Sequence, residues 1–288
     1  MDVDARRAWD TPIYEAACVI ARHTRSAEAP RPLQLSVGEC RIAIEPLDDG
    51  VAPWTARAPM PGDTSIDKAL WHGTLLSANI GLMRHGCIAF GLDDEGRAML
   101  MGQLIAEPGT PTAAAQQLQC LYDVWRLAQG LRHAPLRAAL ASWGLAGYLI
   151  PPHRENEQQQ RTRHMRAVRC LSDGLERMGL PPAQASRIAA ARRLRRADTD
   201  IRFAAARNGH SLLLYIRLRD ARLDGTPDAA LRWTGRLMSE LGIAVGRGLG
   251  GRHQLMAHWP FDSRGRRDFD SYLSAFMELP AALRGDGL

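Results

Sequence analysis

The sequence predicts an α+β fold of two tandem units, each ordered as helix, three strands, helix, two strands, helix. The first observation behind this is a repeat: the run from Ile88-Ala89-Phe90-Gly91-Leu92 to Met101 returns 155 positions later as Ile243-Ala244-Val245-Gly246-Arg247 to Met256. Seven of the fourteen aligned positions are identical without a gap. Unrelated segments would share about one, and self-similarity at a fixed spacing marks a duplicated structural unit. The second observation is that the apolar spacing switches between strand-like and helix-like periods in the same order in both halves. The third is length, since 288 residues accommodate about two domains that each bury a core. A shorter echo relates Trp71-His72-Gly73-Thr74-Leu75-Leu76 to Trp233-Thr234-Gly235-Arg236-Leu237-Met238 at an offset of 162. The excess of seven residues is about two helical turns, which a helix between the two matches could absorb without losing its buried face.

In the first unit, Thr11-Pro12 opens a helix that carries Ile13, Ala16, Ala17 and Ile20 at helical spacing and ends near Thr24. After Ala29-Pro30-Arg31-Pro32 the period becomes two. Leu33, Leu35 and Val37, then Ile42 and Ile44, alternate with polar or small residues, giving two strands joined by a turn near Gly38. A weaker strand follows from Trp54 to Pro59, then a helix from near Ser65 with Leu70, Trp71, Leu75, Ile80 and Leu82. Cys87 to Leu92 and Ala98 to Ile105 form a hairpin around Asp93-Asp94-Glu95-Gly96. A helix from Pro111 to Leu131, with Leu118, Leu121, Trp125 and Ala128 on its apolar stripe, closes the unit.

Residues 135–159 read as a linker between a first domain at 1–134 and a second at 160–288. The second unit opens with a helix carrying Met165, Val168, Leu171, Leu175 and Met178. Strands are expected over Asp200 to Arg207 and His210 to Asp220, and Ser186 to Arg196 fits either a helix or a strand. The Trp233 helix, the Ile243 to Pro260 hairpin, and a helix with Phe269, Tyr272, Leu273, Phe276 and Leu279 complete the order.

Composition narrows the function. Residues 1–150 carry 13 basic against 16 acidic side chains, and residues 151–288 carry 24 against 15, with Lys68 the sole lysine. An acidic partner or an acidic neighbouring lobe suits such a split. No apolar run approaches the roughly 20 residues that span a bilayer, so no membrane insertion is expected and the location reads as cytoplasmic. The five cysteines are scattered without metal-ligand spacing and read as buried thiols. Gly246-Arg247-Gly248-Leu249-Gly250-Gly251 precedes a strand instead of opening a helix, which makes it a hairpin loop and not a phosphate cradle. Asp93, Asp94 and Glu95 read as a solvated turn, and His72, His85, His253 and His258 as surface or partly buried residues without ligand spacing. No nucleophile, base and orienting group can be assembled, so no catalytic residue, metal or cofactor is expected and the chain does not read as an enzyme. Arg192-Arg193-Leu194-Arg195-Arg196 is the one invitation to nucleic acid, without a recognisable motif, and reads first as a solvated basic face.

The order of elements, with the run from Leu70-Trp71-His72-Gly73 to Asn79, then Ile88-Ala89-Phe90-Gly91-Leu92-Asp93 and the closing Trp125 helix, resembles the Tir chaperone (CesT) family of type III secretion chaperones. The likeness spans residues 10–132, and residues 160–284 look like a divergent second copy. It implies a bacterial, virulence-associated, non-catalytic chaperone that holds the N-terminal region of a secreted effector, with the secretion ATPase as a further partner. Two copies in one chain imply an intramolecular pseudo-dimer, monomeric overall, in which Trp71, Leu75, Asn79 and Leu82 face Trp233 and Leu237. A net charge of +6 departs from the acidic character usual in that family. Client contact is expected by strand addition and at exposed apolar strand positions, namely Leu35, Val37, Ile42, Ile44, Ile201, Phe203, Leu212 and Leu214. Each of these also fits a core-facing position. An arginine-rich nucleic-acid-binding or regulatory protein is the alternative.

Overall fold

Alternating apolar residues place two antiparallel five-stranded sheets in the chain, and the sheets share one strand order. The computed structural model describes residues 10–23, 31–47, 54–61, 67–104, 111–131, 157–196, 199–207, 211–218, 226–248, 251–261 and 269–285. Helix α1 (Thr11–His23) leads to β1 (Leu33–Val37), β2 (Cys40–Pro46) and β3 (Trp54–Pro59). Then come α2 (Lys68–His85), β4 (Ile88–Leu92), β5 (Ala98–Leu104) and α3 (Pro111–Leu131). The first sheet runs β1-β2-β3-β5-β4. Gly38, at a φ of +58°, makes the tight β1–β2 turn that the sequence places there. The α2 helix starts at Lys68, where the Asp67 side chain accepts from the Leu70 amide at 3.1 Å. The expected start near Ser65 lies outside the described residues.

The second half opens with two helices, α4 (Glu157–Arg177) and α5 (Pro182–Ala191), where the sequence reading has one. The ambiguous stretch resolves into both alternatives. Proline opens α5, Arg192 ends it in the left-handed region at φ +52°, and β6 (Arg193–Arg196) follows at once. The chain continues through β7 (Thr199–Ala205), β8 (Ser211–Arg217), α6 (Pro227–Leu241), β9 (Ile243–Arg247), β10 (His253–Pro260) and α7 (Phe269–Gly285). Its sheet runs β6-β7-β8-β10-β9, the same pattern as the first. The apolar patch Trp143 to Ile150 and most of the linker lie outside the described residues, although the linker's last three positions, 157–159, already belong to α4.

One face of each sheet carries the main core. The first packs under α1 and α3, where the Trp125 indole donates to the Pro59 carbonyl at 2.9 Å. The second packs under α4 and α7, where Trp259 meets Phe269 edge-to-face and Tyr272 at a tilt, at ring separations of 5.2 and 5.1 Å. Among the described residues no helix is long and apolar enough to cross a membrane.

Candidate functional site

The two sheets meet through their central helices, each of which packs on its own hairpin and on that of the other half. Helix α2 lies against β9 and β10, helix α6 lies against β4 and β5, and the helices touch each other. Glycine permits this approach. A β-carbon on Gly91 would come within 2.7 Å of the Gly235 amide nitrogen, and one on Gly235 would fall on the Leu92 carbonyl. The β4 and α6 backbones are therefore in direct contact. On the other side, a β-carbon on Gly246 would lie 2.7 Å from Ile80 Cγ1 and 3.2 Å from the Ile80 amide. Gly246 stands 155 positions after Gly91, and Gly235 stands 155 after Ile80.

Hydrogen bonds repeat the same relation. Gln103 Nε2 donates to the Met238 carbonyl at 3.4 Å, and His258 Nε2 meets the Met83 carbonyl at 2.6 Å. Positions 103 and 258, and positions 83 and 238, are again 155 apart. Within each half the helix ties to its own strand in the same way: the Phe90 amide donates to Asn79 Oδ1 at 2.7 Å, and the Val245 amide to Thr234 Oγ1 at 3.0 Å. Asn79 does more than Thr234, because its amide also donates to Phe90 O at 3.0 Å and, across the seam, to Val245 O at 2.9 Å. Thr234, one atom shorter, spends its hydroxyl proton on the helix carbonyl of Ala230 at 3.0 Å.

Around these bonds lies a core distinct from the main one, comprising Met83, Cys87, Ala89, Met101, Ala206, Leu213, Met238, Ala244 and Met256. The pairs 83/238, 89/244 and 101/256 are 155-residue counterparts with the same side chain. Flexible thioethers fill the irregular space left where a helix crosses a twisted strand pair. At the start of α6, His72 Nδ1 sits 2.6 Å from Asp228 Oδ1, with Lys68 Nζ 3.7 Å from the same carboxylate. Partial burial works against ionisation of Asp228, but the His72 hydrogen bond and the charges of His72, Lys68 and Arg232 outweigh it and hold the carboxyl below its usual range.

These contacts correct the helix alignment. The relation between α2 and α6 is 155, so Asn79 corresponds to Thr234 and Leu82 to Leu237, whereas Trp71 and Trp233 are not counterparts. Trp71, Leu75, Asn79, Leu82 and Leu237 are buried and Trp233 is half-buried. Of the six, Asn79 makes the hydrogen bond that crosses the seam. His72, His85, His253 and His258, expected to be surface or partly buried, are all buried, His72 against Asp228 of α6 and His258 against the Met83 carbonyl of α2. The eight apolar strand residues expected at the client surface are also corrected. Leu35, Val37, Ile42, Ile44, Ile201, Phe203, Leu212 and Leu214 are all buried, facing the helices that cover each sheet. Among the described residues, Leu70 and Met165 are the exposed large apolar side chains.

The basic cluster is an edge strand. β6 ends its sheet, and Arg193 and Arg195 lie on the face opposite Leu194. Arg193 grips Asp200 with two bonds of 2.6 and 2.7 Å, while Arg195 and Arg202 stand 3.9 and 4.0 Å from the same carboxylate. The Arg193 hydrogen bond, reinforced by all three charges, holds the Asp200 carboxyl below its usual range despite some desolvation.

One pair has the look of nucleophile and base. Ser211 Oγ lies 2.7 Å from His258 Nδ1. Both residues are buried, and the Met83 carbonyl, which can only accept, fixes the proton on Nε2 and leaves Nδ1 accepting from the hydroxyl. The arrangement links β8, β10 and α2 through buried hydrogen bonds. No group of three or more His, Cys, Asp or Glu side chains able to hold a metal ion occurs among the described residues. Burial pushes the Cys40 thiol up to about 12, which suits an inert core residue. Comparison of the chain with protein-family models, with curated proteins and with solved structures finds no match.

Proposed function

We propose that this chain is a non-catalytic type III secretion chaperone in which two tandem chaperone-like domains, 1–134 and 160–288, form an intramolecular pseudo-dimer. The observation that carries the reading is reciprocity: Gln103 bonds Met238 while His258 bonds Met83, each position related to its counterpart by the same 155 residues. A twofold interface has this property, with residue i meeting j and j meeting i. Fusion keeps the partner lobe at high effective concentration and lets the two copies diverge, as the charge split between the halves suggests. With the apolar strand faces covered, the client is held by strand addition at β1 and β6, the sheet ends away from the central helices, where backbone groups lack a further strand among the described residues. The secretion ATPase is the further partner in this reading, and the cytoplasm its location.

Co-purification from a bacterial host carrying the neighbouring secretion genes, with mass spectrometry of bound proteins, is expected to recover a secreted effector. Recovery of a specific nucleic acid and no effector would overturn the reading in favour of the arginine-rich nucleic-acid-binding or regulatory alternative.

A further inference from the structure

We infer that the open edge of β6 and its arginine face form a docking site for an extended acidic peptide with carboxylates at alternate positions. The inference deepens the strand-addition reading by naming the chemistry of the bound segment. The backbone comes first. The Phe203 amide donates to the Arg192 carbonyl at 3.0 Å, and the register pairs Leu194 with Ile201 and Arg196 with Thr199. In an antiparallel pair the bonded positions alternate, so 192, 194 and 196 turn their backbone groups toward β7. Arg193 and Arg195 occupy the intervening positions, and their N–H and C=O groups point away from β7, to the end of the sheet. Among the described residues no backbone bond outside the ladder reaches them.

The side chains supply the second half of the recognition. Arg193, Arg195 and Arg202 share one face, with Arg202 directly opposite Arg193. Among the described residues a single carboxylate, Asp200, serves all three, and Arg193 already takes both its oxygens at hydrogen-bond distance. Arg195, with 70% of its side chain exposed, and Arg202, with 39%, share that carboxylate at 3.9 and 4.0 Å, so three cations face one anion among the described residues. A strand laid along β6 repeats on one face every two residues, about 6.6 Å. Glutamates or aspartates at alternate positions would therefore meet this arginine row while the peptide backbone pairs with residues 193 and 195. Nucleic acid fits less well. Asp200 stands within the patch, and the aromatic in the same row, Tyr215 opposite Arg202, is half-buried against the methionine core, so no stacking platform is presented among the described residues.

The test uses the full chain and a fluorescein-labelled peptide of about ten residues, glutamate alternating with threonine or valine, read by fluorescence anisotropy. The glutamate peptide is expected to bind at about 0.05 M salt, to weaken toward 0.5 M, and to bind at least about tenfold tighter than its glutamine counterpart. The double substitution Arg195→Gln and Arg202→Gln leaves the Arg193–Asp200 pair in place and is expected to weaken binding at least about tenfold. N-methylation of alternate residues along one peptide edge is expected to abolish binding, and along the other edge to leave it intact. Equal binding of the two peptides, indifference to the double substitution, or indifference to methylation on either edge overturns the inference. A deoxythymidine oligonucleotide that binds more tightly and displaces the peptide also overturns it, assigning the patch to nucleic acid. Because the probe is synthetic, its binding is read independently of whether an effector co-purifies. An effector recovered without peptide binding at β6 places the client elsewhere.

Discussion

Replacing Gly235 by alanine is expected to destabilise the protein by about 3 kcal/mol, the upper end for overpacking a core, and to lower the unfolding temperature by roughly 6–12 °C. The reason is local and specific. The added methyl would land on the Leu92 carbonyl, a backbone group of β4 that points away from β5 toward α6, and neither α6 nor β4 can step back without parting the seam. Gly91→Ala probes the same contact from the strand side, meeting the Gly235 amide at 2.7 Å, and a similar cost is expected. Gly246→Ala should be milder, because the nearest atoms, Ile80 Cγ1 and Met256 Cε at 2.7 Å, belong to side chains that can shift, and the Ile80 amide lies farther off at 3.2 Å. Gly81 is the control. A β-carbon there meets nothing within 4 Å, so Gly81→Ala is expected to be neutral or stabilising by up to about 1 kcal/mol through reduced chain entropy. Thermal unfolding of the four variants measures the set. Gly235→Ala unfolding at the wild-type temperature would mean that α6 does not lie against β4.

Lowering the pH from about 6.5 to about 4 is expected to remove about 3 kcal/mol of stability through His258 alone. Burial disfavours the imidazolium and takes the pKa from 6.5 down to about 4, although the hydrogen bond to the Met83 carbonyl acts in the opposite direction. The sign follows from which state binds the proton. Between the two values the unfolded chain is protonated at this residue and the folded chain is not, so the contribution is complete above 6.5, declines as pH falls, and is gone below about 4. Carboxylates with lowered pKa, such as Asp200 and Asp228, also lose stabilisation on acidification, so the wild-type profile alone does not isolate the histidine. His258→Gln does. Glutamine is what the first half uses at the corresponding position, where Gln103 donates to the Met238 carbonyl, so the substitution keeps a donor for Met83 and removes the titration. Urea unfolding at several pH values across the window is expected to show wild type falling about 3 kcal/mol further than the variant. Parallel profiles would contradict a neutral, buried His258 at the seam.

Much of the fold was legible because most elements bury one face. Leu33, Leu35, Val37, Ile42 and Ile44 alternate cleanly, and the hairpins at 88–104 and 243–260 carry both repeat and turn chemistry. Helix α2 hid its register because it is enclosed on several sides. Trp71, Leu75, Leu76, Ala78, Leu82 and Met83 are apolar and buried against its own hairpin and the opposite one, so no stripe singles out a face. The Trp-x-Gly echo at 162 then looked like homology, whereas extending the 155 register without a gap pairs Met83 with Met238 and Asn79 with Thr234. The seam was thus present in the sequence, in matched methionines and glycines instead of tryptophans. Alternation in β1, β2, β7 and β8 showed which side is apolar and could not show that helices cover it, which is why the expected client residues proved to be core. Ser186 to Arg196 stays ambiguous in the sequence because it holds both a helix end and a strand: β6 is four residues long and follows α5 with only a left-handed arginine between them.

The central claim is that two halves of one chain hold each other through α2 and α6, independently of the peptide that joins them. Its most direct measurement is to place a specific protease site within residues 135–156, cleave the folded protein, and determine the mass in solution without denaturant. The halves are expected to remain a single particle of 31.7 kDa. Two separate species, each the size of one half, would contradict it.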